Sequence, residues 1–205
     1  MRRYSQEWDG LIYLLSKPVR RKMNRKEIRI AGFGGQGIVL SGYIMGKAAS
    51  IYDKKFASLT QSYGPESRGG SCRAEVVIDD IPIEYPYLVT PQVQIILSQD
   101  AYNQYGKNAP PDTLVIIDSD LVTVDPDQDA KFLSIPARRM AEELERPVVA
   151  NIVMLGFLAA TSNIVSYEAL KDSILNSIPK GTEDLNTKAF ELGYNYGVEH
   201  GHSAL

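Results

Sequence analysis

The sequence predicts an α/β fold: a single Rossmann-like α/β sandwich whose sheet is mixed, mostly parallel, and includes a hairpin. Three observations predict it. Short apolar runs alternate with helix-patterned segments along most of the chain, as a parallel sheet with crossover helices requires. A glycine-rich turn stands where the first run meets the first helix. Residues 71–78 alternate in polarity, with Cys72, Ala74, Val76 and Ile78 against Arg73 and Glu75, the pattern of a hairpin strand.

Taken in order, residues 27–32 form the first strand, with Ile28 and Ile30 alternating against charge. A helix is expected from the glycine turn to about Tyr52, because Leu40, Ile44, Ala48 and Ile51 make a stripe at helical spacing. Residues 56–62 are a second strand and 63–70, with three glycines and Pro65, a loop. In 71–78, Cys72, Ala74, Val76 and Ile78 share one face and Arg73 and Glu75 the other; Asp79-Asp80 then turns into a hairpin arm at 81–84. The runs 93–97 and 113–118 are buried parallel strands, with a short helix at 100–105 ended by Gly106. Pro136 suits the first turn of a helix to Leu144. Residues 147–150 are a short strand or connector, and 152–161 an apolar helix. Ser166 is the expected N-cap of a helix ending near Ser177. A last helix, 183–196, is expected to bury Leu185, Ala189, Leu192 and Tyr196.

At 205 residues, 44% hydrophobic and 23% charged, the chain suits one domain with a substantial core. Its net charge of -3 gives no reason to expect nucleic acid, and no stretch is apolar for the length of a membrane span. Residues 1–26 differ from the rest. They carry eight Lys/Arg against Glu7 and Asp9, a net of +6, which leaves -9 for residues 27–205. They are expected to be a basic N-terminal extension, upstream of Met23 as an alternative start or an arm for a partner. No small-residue cleavage site follows 11–15, so a cytoplasmic protein is expected. The domain proper is expected over 27–197, with 198–205, holding His200 and His202, as a flexible tail.

Gly32, Gly34 and Gly37 fit G-x-G-x-x-G between a strand and a helix. Glycines there let the backbone come close to a phosphate, which the helix N-terminus also favours. Gly32, Gly34, Gly35, Gln36 and Gly37 are therefore candidate cofactor-binding residues, or they only permit close packing. The acidic residue that an NAD site wants at the end of the second strand is missing, since that strand ends Thr60-Gln61-Ser62. In the following loop, Arg68 beside Gly69 and Gly70 is a device for holding a carboxylate or phosphate, and Glu66 is a partner for it or for another chain. If the first three strands are parallel neighbours, this loop and the glycine turn emerge at the same sheet edge.

No catalytic residue is expected: both histidines fall in the tail, so neither a Ser–His–Asp nor a Cys–His arrangement is available. Asp118, Asp120 and Asp125 are better explained by capping and turns than by Mg²⁺. A single cysteine, Cys72, cannot build a disulfide, a thiolate zinc site or an iron–sulfur cluster, so any metal or redox centre is expected on another chain.

The motifs Ile30-Ala31-Gly32-Phe33-Gly34-Gly35-Gln36-Gly37 and Thr60-Gln61-Ser62-Tyr63-Gly64-Pro65-Glu66-Ser67-Arg68-Gly69-Gly70, in that order, resemble the gamma subunit of 2-oxoacid:ferredoxin oxidoreductases. The likeness continues through Ala74-Glu75-Val76-Val77-Ile78, Ile83-Glu84-Tyr85-Pro86 and Ser98-Gln99-Asp100-Ala101-Tyr102, and covers 26–197. It implies a non-autonomous subunit of an enzyme that oxidatively decarboxylates a 2-oxoacid with coenzyme A to acyl-CoA, CO₂ and reduced ferredoxin. The wording is nearest the 2-oxoglutarate branch, ahead of the branched-chain 2-oxoacid and pyruvate branches. Thiamine diphosphate, Mg²⁺ and [4Fe–4S] clusters are expected on alpha, beta and delta partner subunits, with ferredoxin reached through the complex. Here Tyr63, Glu66, Arg68, Gly69 and Gly70 would line an interface or channel, with Glu66 and Arg68 facing partner chains or the CoA phosphates. A homodimer of the isolated chain is also within expectation. The alternatives are an independent NAD(P)- or flavin-binding oxidoreductase and a purely structural assembly subunit.

Overall fold

In the computed structural model, which describes residues 24–64 and 69–201, the first strand is β1, Lys26–Phe33. The glycine turn follows it and leads into α1, Ile38–Lys47, which continues as a π-helical turn over Ala48–Tyr52. Next come β2, Phe56–Tyr63, and β3, Ser71–Asp79, paired antiparallel with each other. The strand β4, Val93–Ile96, precedes the one-turn helix α2, Gln99–Ala101, and a π turn to Gly106. Then follow β5, Leu114–Asp118, β6, Lys131–Ile135, and α3, Ala137–Glu143. A 3₁₀ turn over Pro147–Val149 opens α4, Ala150–Thr161, which is followed by α5, Tyr167–Leu175, and α6, Glu183–His200; α6 takes in residues 198–200, which were expected in the tail.

The six strands form one sheet in the order β2-β3-β1-β4-β5-β6. The neighbours β1, β4, β5 and β6 run parallel, while β3 is antiparallel to both β1 and β2. The mixed, mostly parallel sheet is thus as expected, but two details differ. The first three strands are not parallel neighbours, because antiparallel β3 lies between β1 and β2. The hairpin is β2–β3 and not 71–78 with 81–84. Residues 80–92 hold Pro82, Pro86 and Pro91, which have no N–H to give to a ladder. Their backbone is pinned by side chains instead. Arg25 donates to the carbonyls of Tyr85 (2.9 Å) and Tyr87 (2.8 Å), and the amides of Val89 and Thr90 donate to Glu27 Oε2 at 2.6 and 2.7 Å. The buried Glu27 carboxylate is completed by Arg25 at 2.6 Å.

One face of the sheet, with Ile28, Ile30, Val76, Ile95 and Ile116, packs against α1 and α3–α6 in the main core. The other, with Ala31, Ile96, Val115 and Ile117, is covered by Ala101, Tyr102, Ala109 and Val122 in a smaller cluster. Each fully buried aliphatic or aromatic side chain contributes about 1.5–3 kcal/mol. In α1 the buried side is Ile38, Ser41, Gly42, Ile44 and Met45; Leu40 and Ile51 from the expected stripe are exposed. Gly42 explains the rotation. A Cβ there would lie 2.8 Å from the Ala74 Cβ and 2.9 Å from Leu59 Cδ1, so the helix approaches β2–β3 on its smallest residues. The π turn then shifts the phase beyond Ala48. In α6 Ala189 is buried as expected, but Leu185, Leu192 and Tyr196 are only partly so. The face in contact is Asn186, Ala189, Phe190, Gly193 and Gly197.

Candidate functional site

The site is built at the carboxyl edge of the parallel strands. Helix α1, following β1, packs on one face of the sheet, and α2, following β4, on the other. Between β1 and β4 the crossovers therefore diverge, which opens the crevice where open α/β sheets place ligands.

Gln36 fills that crevice. Its Oε1 accepts from the Phe33 amide at 2.6 Å, and its Nε2 donates to the Leu97 carbonyl at 2.7 Å, clasping the ends of β1 and β4. Gly32 is required by this clasp, since a Cβ there would lie 2.4 Å from Gln36 Oε1. Gly35 and Gly37 take the positive-φ conformations, +99° and +75°, that reverse the chain into α1. Gly37 also abuts α4, because a Cβ on it would meet Asn151 Nδ2 at 2.5 Å. Asn151 is buried and donates to Ser41 Oγ at 3.3 Å and to the Gly37 carbonyl at 3.5 Å. Sequence reasoning passed over Asn151 as the head of an apolar helix; the available signal was one amide side chain before a run of apolar residues.

The second loop meets the first. Gly34 N–H donates to the Gly70 carbonyl at 2.8 Å, and a Cβ on Gly34 would lie 3.6 Å from that oxygen. The hairpin loop is closed at its base by Gly64 N–H to the Ser71 carbonyl, 2.7 Å, and Gly69 has a φ of +72°. Tyr63, at the end of β2, is 62% exposed. The glycine turn thus stands beside Gly69 and Gly70 although β3 intervenes in the sheet. Glu66 and Arg68 lie outside the described residues.

A cavity of about 240 Å³ opens beside the turn, lined by Gly35, Gln36, Leu97, Asp118, Arg138 and Val148. Asp118 is fully buried; it accepts the amides of Asp120 (3.0 Å) and Arg138 (2.9 Å), and burial outweighs these bonds, raising its carboxyl above the usual range. Asp120 pairs with Arg139 at 2.8 Å and Asp125 with Lys107 at 3.0 Å, so each of the three carboxylates caps a turn or holds a cation of its own. Among the described residues no cluster of His, Cys, Asp and Glu is arranged to hold a metal ion. The buried thiol of Cys72 is pushed up by desolvation, which disfavours the reactive thiolate. An independent dinucleotide site is not favoured: Gln36 occupies the crevice, and the strand next to β1 on the hairpin side is antiparallel. No described helix is long and apolar enough to cross a membrane.

Comparison with known proteins agrees with this architecture. The model of the pyruvate ferredoxin/flavodoxin oxidoreductase family matches residues 27–196. The chain is 50% identical over 183 residues to the 2-oxoglutarate synthase subunit KorC of Methanocaldococcus jannaschii, covering 88% of this chain and 98% of that one. It is 32% identical to the pyruvate synthase subunit PorC of the same organism, over 82% of this chain and 95% of that one. The keto/oxoacid ferredoxin oxidoreductase gamma subunit of Geobacter sulfurreducens superposes with a TM-score of 0.75 at 38% identity, over 85% of this chain and 99% of that one. The chain belongs to the pyruvate ferredoxin/flavodoxin oxidoreductase family, as a subunit of the gamma type.

Proposed function

We propose that this chain is the gamma subunit of a CoA-dependent 2-oxoglutarate:ferredoxin oxidoreductase, and that its two glycine loops form one wall of the channel reached by CoA. The observation that carries the proposal is the Gly34–Gly70 hydrogen bond, which places the glycine turn and the hairpin loop side by side at the carboxyl edge. Backbone amides at a helix N-terminus and an arginine following in the loop are together suited to phosphate oxygens. Support for the 2-oxoglutarate branch comes from 50% and 46% identity to KorC subunits of two archaea, against 32% to a PorC subunit.

The chemistry of decarboxylation and electron transfer is assigned to alpha, beta and delta partners. A thiamine diphosphate there supplies the electron sink for the carbanion, and clusters there carry the electrons. This chain's own donor set does not fit a cluster, since its one cysteine, Cys72, is buried in the sheet. What it does is bind and orient. The test is mild affinity purification of the tagged chain from its own cells, followed by CoA-dependent viologen reduction with a panel of 2-oxoacids. Companion subunits with activity on 2-oxoglutarate are the expected result. Recovery of a lone chain that binds NAD(P) or flavin would overturn the proposal.

A further inference from the structure

We propose that two copies of this chain pair edge to edge through β2, as antiparallel strands of one continuous sheet. The two edges of the sheet are treated differently. The edge strand β6 has five residues, begins with Lys131, and follows Asp125-Pro126-Asp127-Gln128-Asp129. Charge, proline and short length beside an edge all oppose the addition of another strand. The other edge, β2, is eight residues long and contains no charge, no proline and no glycine. Among the described residues no strand pairs with its outer side.

Its composition suits its own copy. A two-fold axis normal to the sheet pairs β2 with itself while keeping the same face outward. With the axis at Thr60, Ser58 lies opposite the partner's Ser62, Thr60 opposite the partner's Thr60, Ala57 opposite the partner's Tyr63 and Leu59 opposite the partner's Gln61; with the axis at Leu59, Ser58 lies opposite the partner's Thr60 and Leu59 opposite the partner's Leu59. No register places like charges opposite each other within the strand. Lys54 and Lys55 precede the strand, so the lysines of the two copies fall at opposite ends of the pair. On the helix-bearing side the edge continues into a groove of about 300 Å³ lined by Tyr43, Lys47, Ile51, Ala57 and Leu59. Tyr43 and Ile51 are 50% and 54% exposed there, and Phe56, at the start of β2, is 46% exposed. The same axis brings Tyr43 and Ile51 of one copy towards those of the other, adding apolar burial to the strand pairing, while Lys47 between them is held back by the Asn176 carbonyl at 2.7 Å and Ser177 Oγ at 3.1 Å.

The experiment uses the full chain and two double variants, Ser58→Lys with Thr60→Lys and Ser58→Glu with Thr60→Glu. Mass by light scattering and amide exchange over β2 are measured for each alone and for the 1:1 mixture. Wild type is expected to be a dimer with slow β2 amides. Each variant alone should associate at least about a hundredfold more weakly, because like charges then lie opposite each other whether the axis passes Leu59 or Thr60. The mixture should form a heterodimer, which also shows that both variants are folded. A wild type that stays monomeric, or variants that dimerise as wild type does, would overturn the proposal. So would β2 amides that slow only when companion subunits are added, which would give this edge to another chain.

Discussion

Gln36 and Asp118 show how single side chains set the character of the carboxyl edge. The Gln36 carboxamide needs both an acceptor and a donor, because it faces an amide on one side and a carbonyl on the other. Gln36→Glu keeps both only while the new carboxyl is protonated. The variant should lose about 1–3 kcal/mol at neutral pH, where a carboxylate faces the Leu97 carbonyl, and recover as the pH falls; urea unfolding at several pH values reads this directly. Asp118 acts in the opposite sense. Burial holds its folded pKa above the usual 3.8, so over the window just above 3.8 the folded chain keeps a proton that the unfolded chain has lost. Stability must fall as the pH rises through that window. Asp118→Asn removes the titration, so melting temperature minus that of wild type should increase with pH; a flat difference would exclude the effect. Sequence made the glycines legible as a turn, but gave no hint that Gln36 plugs the crevice, since both of its partners are backbone atoms and Leu97 is 61 residues away.

Among the elements, the pair α4 and α6 depends on residues that a hydrophobic stripe does not reveal. Their axes come close because Gly156 faces Phe190 and Gly193 faces Val153; a Cβ would lie 2.0 Å from the Phe190 carbonyl oxygen and 1.9 Å from that of Val153. Gly156→Ala or Gly193→Ala should each cost about 3 kcal/mol by forcing the helices apart, measurable by chemical denaturation. Gly181→Ala, with open space around it, serves as a strain control at φ +87°. This contact is why Leu185, Leu192 and Tyr196 were expected in the core and lie only at its margin: periodicity counts large side chains, whereas close helix packing selects small ones. Most elements were legible, including the Ser166 cap, whose hydroxyl accepts the Ala169 amide at 3.2 Å. The strand β6 was not, since Lys131-Phe132-Leu133-Ser134-Ile135 is an edge segment with one fully buried residue, Ile135. The arm expected at 81–84 failed for the opposite reason. Its apolar residues satisfy a strand pattern, but Pro82 has no N–H for a ladder, and the backbone that follows, at Tyr85, Tyr87, Val89 and Thr90, is held by Arg25 and Glu27.

For the whole molecule, the mixed sheet and the meeting of the two loops at one edge were both foreseen, although from parallel neighbours that do not exist. The outcome survives because two antiparallel pairings restore the direction of β2 to that of β1. If the loops together contact CoA, Arg68→Ala in the assembled enzyme should raise KM for CoA about tenfold with kcat unchanged; a structural role alone leaves KM where it was. The hydrogen bond from Gly34 to Gly70 bears on that number. A loop fastened at one end before any ligand arrives has already given up part of its conformational freedom during folding. A ligand that touches it therefore loses less entropy on binding, and more of the contact energy appears as affinity.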